Sequence, residues 1–313
     1  MTTTVLSLER LAPRAIQDRL DGSFDCWLVG REGDLDQLVR QVGDRVTALV
    51  TTGGRGAERA LIERLPHLQL IACYGVGVDA IDLTAARAFG VAVTNTPDVL
   101  TDDVADLAVL LYGAQRRRLV AADGWVRSGA WENDGSMPLG RTMRGRRVGL
   151  LGFGRIGQAI AGRLAAFGCE VRYHKPTPLA DTRWPYAESP AALAEQSDDL
   201  IVCCSGGPAT RHLVDASVLR ALGADGVLVN VARGSVVDET ALAEAVRDGV
   251  IAGAALDVFA EEPWVPTALR ERRDVVLAPH IGSATVETRT AMGDLVLRNL
   301  DAHARAAALV SPV

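Results

Sequence analysis

Gly152-Phe153-Gly154-Arg155-Ile156-Gly157 follows an apolar run, Val148–Leu151, and opens a segment in which Ile156, Ile160 and Leu164 recur four residues apart. A strand that ends on glycines at this spacing and continues as a helix can fold in few ways. The first glycine permits a tight turn, the second leaves no Cβ to block a diphosphate, and the third lets the helix lie close against the strand. Unpaired N–H groups and the positive end of the helix dipole then face phosphate oxygens. The segment predicts a doubly wound α/β domain that binds a dinucleotide, with Gly152, Gly154 and Gly157 in its phosphate turn.

The rest of the chain repeats the α/β alternation. At 313 residues it exceeds the usual single-domain range, roughly 100–200 residues, and reads as two domains. Strand-length apolar runs occur at Val5–Leu8, Cys26–Val29, Ala48–Thr51, Leu70–Cys73 and Val91–Val93, and again at Val148–Leu151, Val171–Tyr173, Leu200–Cys203, Val227–Val231, Gly253–Val258 and Val275–Ala278. Each is followed by a helix-length connection rather than a two-residue turn, so both sheets should be parallel. A long helix is expected at Asp102–Arg118, a loop-rich connection at Gly124–Gly140, and a last helix at about Val286–Ala306 that returns to the first domain. The expected division is residues 1–97 with 285–313, and 98–284.

Composition excludes several classes. With 33 basic against 39 acidic residues the net charge is −6, which offers no general attraction to nucleic acid or an anionic membrane. The longest stretch free of Asp, Glu, Lys and Arg is Leu65–Val78, 14 residues, too short to span a bilayer. Glu9, Arg10, Arg14 and Asp18 interrupt the N-terminus, which argues against a secretory signal and makes the cytoplasm the expected location. Cys26, Cys73, Cys169, Cys203 and Cys204 lack C-x-x-C spacing, and His67, His174, His212 and His303 lack ligand spacing. Reduced cysteines and no metal are expected.

Two features bear on chemistry. NAD-binding folds place an acid about twenty residues past the glycines to hold the adenosine ribose. Here that strand ends Tyr173-His174-Lys175-Pro176-Thr177; Lys175 attracts a 2′-phosphate and Thr177 can hydrogen-bond it, so the residues favour NADPH, with NADH still possible. The second feature is a set of three polar residues just past successive strands: Arg233, Glu262 and His280. Ligands of open α/β sheets bind beyond the carboxyl ends of the strands, where these three would supply a carboxylate clamp, an orienting acid and a proton donor.

Leu151-Gly152-Phe153-Gly154-Arg155-Ile156-Gly157-Gln158, Val229-Asn230-Val231-Ala232-Arg233-Gly234, Leu256-Asp257-Val258-Phe259-Ala260-Glu261-Glu262-Pro263 and Ala278-Pro279-His280-Ile281-Gly282 resemble the signatures of the D-isomer-specific 2-hydroxyacid dehydrogenases. Within that family the chain is most similar to the glyoxylate/hydroxypyruvate reductase branch. The resemblance implies a Rossmann nucleotide domain at 98–284 and a flavodoxin-like substrate domain at 1–97 and 285–313. It implies a triad at Arg233, Glu262 and His280 that reduces a small 2-oxo acid, and a substrate carboxylate received by the amides of Val76 and Gly77. Thr101 and Asp257 match positions that line the nicotinamide, and Gly154, Arg155 and Ile156 match the pyrophosphate turn. Lys175 departs from the pattern, since NAD-using members carry Asp there. A homodimer built through the nucleotide domain is implied too. The other reading is a nucleotide-sensing, corepressor-like binding protein of the same fold. The loop Thr51–Arg55, with Leu100 and Trp131, is expected to select the oxo acid.

Overall fold

The computed structural model describes residues 3–313. The chain divides into two compact units, one made of the chain up to Leu100 together with Ser283–Val313, the other of Thr101–Gly282.

In the first unit, strands β1 (Thr4–Ser7), β2 (Asp25–Leu28), β3 (Val46–Thr52), β4 (Leu70–Tyr74) and β5 (Ala92–Thr94) form a parallel sheet in the order β2-β1-β3-β4-β5. Helices cover the sheet, so its strands are apolar on both faces rather than alternating. Leu6, Leu49 and Ile71 are fully buried with Leu38 from the helix Leu35–Val42. The last helix, Val286–Ala304, belongs to this unit; Thr285 caps it by accepting the Thr288 N–H at 3.2 Å.

The second unit carries β6 (Arg147–Leu151), β7 (Glu170–His174), β8 (Asp199–Val202), β9 (Val227–Asn230), β10 (Gly253–Leu256) and β11 (Val275–Leu277), parallel throughout, in the order β11-β10-β9-β8-β6-β7. The chain runs outward from β6 to β7 and then crosses back to β8. The carboxyl ends of β6 and β8 therefore flank a topological switch point, where ligands of such sheets bind. A helix Thr101–Arg116 packs Ala105, Ala108 and Tyr112, all fully buried, onto this core.

Both sheets are those of a two-domain α/β protein, as the alternation predicts, with two local corrections. Cys203, Val231, Val258 and Ala278 lie just past the strands that the apolar runs assigned to them. Their apolar character serves burial of the loops beyond the ladder, where Val258 is 2% and Ala278 8% exposed. The segment Gly124–Gly140 is free of helix from Asp134 on, as a loop-rich connection should be, but its first part is not: helices run Leu119–Arg127 and Ala130–Asn133, with Gly129 at φ +75° between them. Neither buries a residue, and Gly124 and Gly129 misread as breakers.

At the amino end of this sheet sits a sunken charge cluster. The fully buried Asp199 accepts the Tyr112 hydroxyl at 2.6 Å, the Val227 N–H at 3.0 Å and the Arg146 Nε–H at 3.1 Å, with Arg116 at 3.4 Å. Burial and the Asp199 charge hold the Tyr112 hydroxyl well above its ordinary range, so it stays a donor. No helix among the described residues is long and apolar enough to cross a membrane.

Candidate active site

The three glycines differ in what they do. Gly152 turns at φ +102°, and a Cβ there would lie 2.4 Å from the Cys204 amide nitrogen. At Gly157 a Cβ would meet the Gly152 carbonyl oxygen at 2.5 Å, while at Gly154 it would project into open space. So the first and third glycines close the strand–turn–helix against itself, and the second bares a backbone edge beside the start of the helix Arg155–Ala166. Arg155 is exposed and Ile156 half-buried on that first turn. A twelve-residue helix whose start carries no side-chain cap, behind a glycine whose Cβ would meet nothing within 4 Å, fits a dinucleotide diphosphate.

Past β7, Lys175 is half-buried and Thr177 exposed. The Lys175 carbonyl accepts the Tyr186 hydroxyl at 3.2 Å, and its ammonium makes no hydrogen bond or ion pair among the described residues. Arg172 points elsewhere and donates to the Gln196 Oε1 at 2.5 Å.

The three candidate catalytic side chains converge at the carboxyl ends of β9, β10 and β11. His280 Nδ1 lies 2.7 Å from Glu262 Oε2. A carboxylate can only accept, so Nδ1 carries the proton and Nε2 is the ring nitrogen that Glu262 leaves untaken. Glu262 is held in turn through Oε1 by the Phe259 N–H at 3.1 Å. Burial opposes its ionisation, but the hydrogen bond and charge of His280, the Phe259 amide and the nearby Arg233 outweigh burial and keep the carboxyl below its ordinary range. His280 has φ +55°, a conformation that costs a non-glycine residue of order 1 kcal/mol or more and is held by its surroundings. Those surroundings are Asp257: its carbonyl accepts the His280 N–H at 2.8 Å, and its carboxylate accepts the Ile281 and Gly282 N–H groups at 2.7 and 2.8 Å. Burial raises the Asp257 pKa while these two amides and His280 pull against it. The residue that the resemblance places beside the nicotinamide thus has both oxygens committed to the His280 turn.

Arg233 stands in extended backbone, φ −144°, and its guanidinium donates to the Ala232 carbonyl at 2.8 Å. The next residue explains the local sequence: a Cβ on Gly234 would fall 1.9 Å from the Phe259 carbonyl carbon, so only glycine lets this turn lie against the loop that carries Glu262. Sequence reasoning missed three supports. Asn230 bridges the Ala232 N–H and the Arg233 carbonyl, Gly234 permits the close approach, and Glu239 accepts the Ala260 N–H at 2.7 Å. Only Asn230 left a signal, a polar residue inside the apolar run Val227–Val231. Thr101 opens the helix Thr101–Arg116 and is half-buried.

In the first unit, the loop after β4 has its carbonyls occupied: Gly75 accepts from the Thr96 N–H at 2.9 Å, Val76 from Asn95 Nδ2 at 2.8 Å and Gly77 from the Cys73 thiol at 3.5 Å. The amides of Val76 and Gly77 donate to nothing among the described residues. Leu100 is 5% exposed, its side chain spent in the core, and Trp131 is 63% exposed.

Residues 109–282 match the family described as D-isomer specific 2-hydroxyacid dehydrogenase, NAD binding domain. The chain is 44% identical to glyoxylate/hydroxypyruvate reductase A of Arabidopsis thaliana, with 95% of each chain covered, and 46% identical to hydroxyphenylpyruvate reductase of Plectranthus scutellarioides, again with 95% of each covered. Among solved structures it resembles the NADPH-dependent glyoxylate/hydroxypyruvate reductase of Sinorhizobium meliloti in complex with NADP and malonate, at 42% identity and a TM-score of 0.94 over 100% of this chain and 97% of that one. With this fold, glycine turn and likeness over nearly its whole length, the chain belongs to the D-isomer specific 2-hydroxyacid dehydrogenases, in the glyoxylate/hydroxypyruvate reductase branch, and is an NAD(P)-dependent reductase of 2-oxo acids.

Proposed function

We propose that the protein reduces a small 2-oxo acid of the glyoxylate or hydroxypyruvate type to the D-2-hydroxy acid with NADPH as the preferred reductant, and that His280 is the proton donor. The observation that carries this reading is the His280–Glu262 pair, 2.7 Å apart, with Arg233 beside it at the strand ends that also bear the glycine turn.

When bound, the dihydronicotinamide supplies the hydride to the ketone carbon. Gly152, Gly154, Arg155, Ile156 and Gly157 would hold its diphosphate, with Thr101 and Asp257 on the nicotinamide side. Every remaining task falls to this chain. Arg233 grips the substrate carboxylate and carbonyl oxygen through its planar fork, which presents one face of the ketone. The undonated amides of Val76 and Gly77 suit a carboxylate. His280 Nε2 delivers a proton to the carbonyl oxygen as it gains charge, and Glu262 holds the ring and stabilises its protonated form, as the acid does in a serine-protease triad. The NADP-bound relative and an ammonium at Lys175 without a partner among the described residues both support NADPH. A charge-assisted bond to the 2′-phosphate is worth roughly 1.5–3 kcal/mol, or about 10–150-fold in affinity.

The test is a kinetic matrix of glyoxylate, hydroxypyruvate, pyruvate and phenylpyruvate against NADPH and NADH. Turnover of the first two with at least about a tenfold kcat/KM preference for NADPH is expected, and Lys175→Asp should reverse the cofactor order. Equal use of NADH at low ionic strength would make Lys175 a solvated loop residue.

Leu110, Leu119, Val120, Val126, Trp131 and Leu139 are all more than half exposed within one stretch of the second unit, and we propose that a second copy of the chain covers them. Sedimentation equilibrium should give twice the chain mass; a monomer at micromolar concentration would refute it.

A further inference from the structure

We propose that Asn230 is a positioning residue: its carboxamide sets the turn that carries Arg233 and, through the neighbouring strand, ties that turn to the one that carries His280. This rests on the reading of Arg233 as the substrate clamp and extends it to a residue that never meets substrate.

Asn230 is the last residue of β9 and is 1% exposed. Its Oδ1 accepts the Ala232 N–H at 3.0 Å and its Nδ2 donates to the Arg233 carbonyl at 2.9 Å. The Arg233 guanidinium in turn donates to the Ala232 carbonyl at 2.8 Å. Asn230 thus pins the peptide group before Ala232 and the one after Arg233, while the guanidinium holds the carbonyl of the peptide between them, and together these bonds fix the direction in which the arginine leaves the backbone. An apolar residue of similar size would strand a buried N–H beside Ala232, itself 6% exposed, and leave the Arg233 carbonyl without its donor.

The link to the second turn is direct. The Asn230 carbonyl accepts the Asp257 N–H at 3.0 Å, and Asn230 pairs in register with Leu256, the residue before Asp257. Asp257, 2% exposed, then closes the His280 turn through its own carbonyl and both carboxylate oxygens. Two buried polar side chains at the ends of adjacent strands therefore brace the two turns as one body. Such bracing matters because a displacement of about 1 Å can cost on the order of 10²-fold in rate.

The experiment is a double-mutant cycle on the intact enzyme. Asn230→Ser keeps a hydroxyl for the Ala232 amide but cannot reach the Arg233 carbonyl. It is expected to lower kcat/KM for glyoxylate about 10–100-fold, chiefly through KM. NADPH affinity, read by quenching of intrinsic fluorescence, and the pH profile of kcat should stay unchanged. In an Arg233→Lys background the same substitution should add less than about twofold, because the group it positions is gone. If Asn230→Ser is within twofold of wild type, or costs the same factor in both backgrounds, the positioning role is wrong while the clamp stands. If Arg233→Lys is itself harmless, the clamp reading falls and the proposal with it. Hydrogen exchange on the wild type gives a reading independent of any variant's folding: the Ala232 amide should exchange as slowly as that of Val229 in the strand, and exchange at loop rates would overturn the proposal.

Discussion

The two ends of the second sheet hold similar charges to opposite effect. At the amino end, Asp199 is fully buried and its carboxylate oxygens are satisfied by Tyr112, Arg146 and the Val227 amide, with Arg116 alongside. At the carboxyl end, Glu262 and His280 are 34% and 41% exposed, and the His280 Nε2 makes no hydrogen bond among the described residues. Both are acid–base pairs with arginines nearby. The difference is burial: Asp199 and Arg116 are shut into the core, and the Asp199 carboxylate is answered from within the chain, whereas Glu262 and His280 stand open to solvent. Parallel strands make the asymmetry systematic, because every β-to-α connection opens at the same carboxyl edge.

If that contrast is right, activity and stability should separate between the ends. The largest effect is expected at His280→Ala, which should lower turnover about 10²–10⁴-fold and barely alter the melting temperature; near-normal kcat would remove His280 from the chemistry. Next comes Asp199→Ala, which leaves two arginines facing an emptied buried site. It should cost about 3–5 kcal/mol of stability in denaturant titration and spare the turnover of the molecules that remain folded. A loss of turnover per folded molecule as deep as that of His280→Ala would erase the distinction.

The smallest effect is in pH and concerns Glu262. Its folded pKa lies below the unfolded value of about 4.5, so its ionised form adds stability that is full above that pH and is lost as pH falls through the folded value. Because the pair is a third or more exposed and screened, the gap in stability between wild type and Glu262→Gln should be under about 1 kcal/mol at pH 7 and should close below pH 4.5. A gap that instead widened in acid would mean that Glu262 is not held as a carboxylate.

Much of this was legible in order along the chain. Alternating apolar runs and long connections identify two parallel sheets, since burial of both faces demands continuous Val, Ile and Leu, and three glycines at the right spacing mark the nucleotide turn because only a missing side chain allows those approaches. Arg233, Glu262 and His280 could be placed at strand ends for the same reason: the run that ends a strand is visible. Other things left no local trace. The helices at Leu119–Arg127 and Ala130–Asn133 bury nothing, and Gly124 within the first and Gly129 between them read as breakers in the sequence. Gly234 is indispensable only because Phe259, 25 residues on, passes 1.9 Å from where its Cβ would stand, and Asp257 is committed to the His280 turn only because β10 and β11 lie side by side. Burial and close spacing write themselves into sequence as residue type and period. Which buried polar group answers which distant amide depends on contacts between residues far apart in the chain, and only the folded molecule decides those.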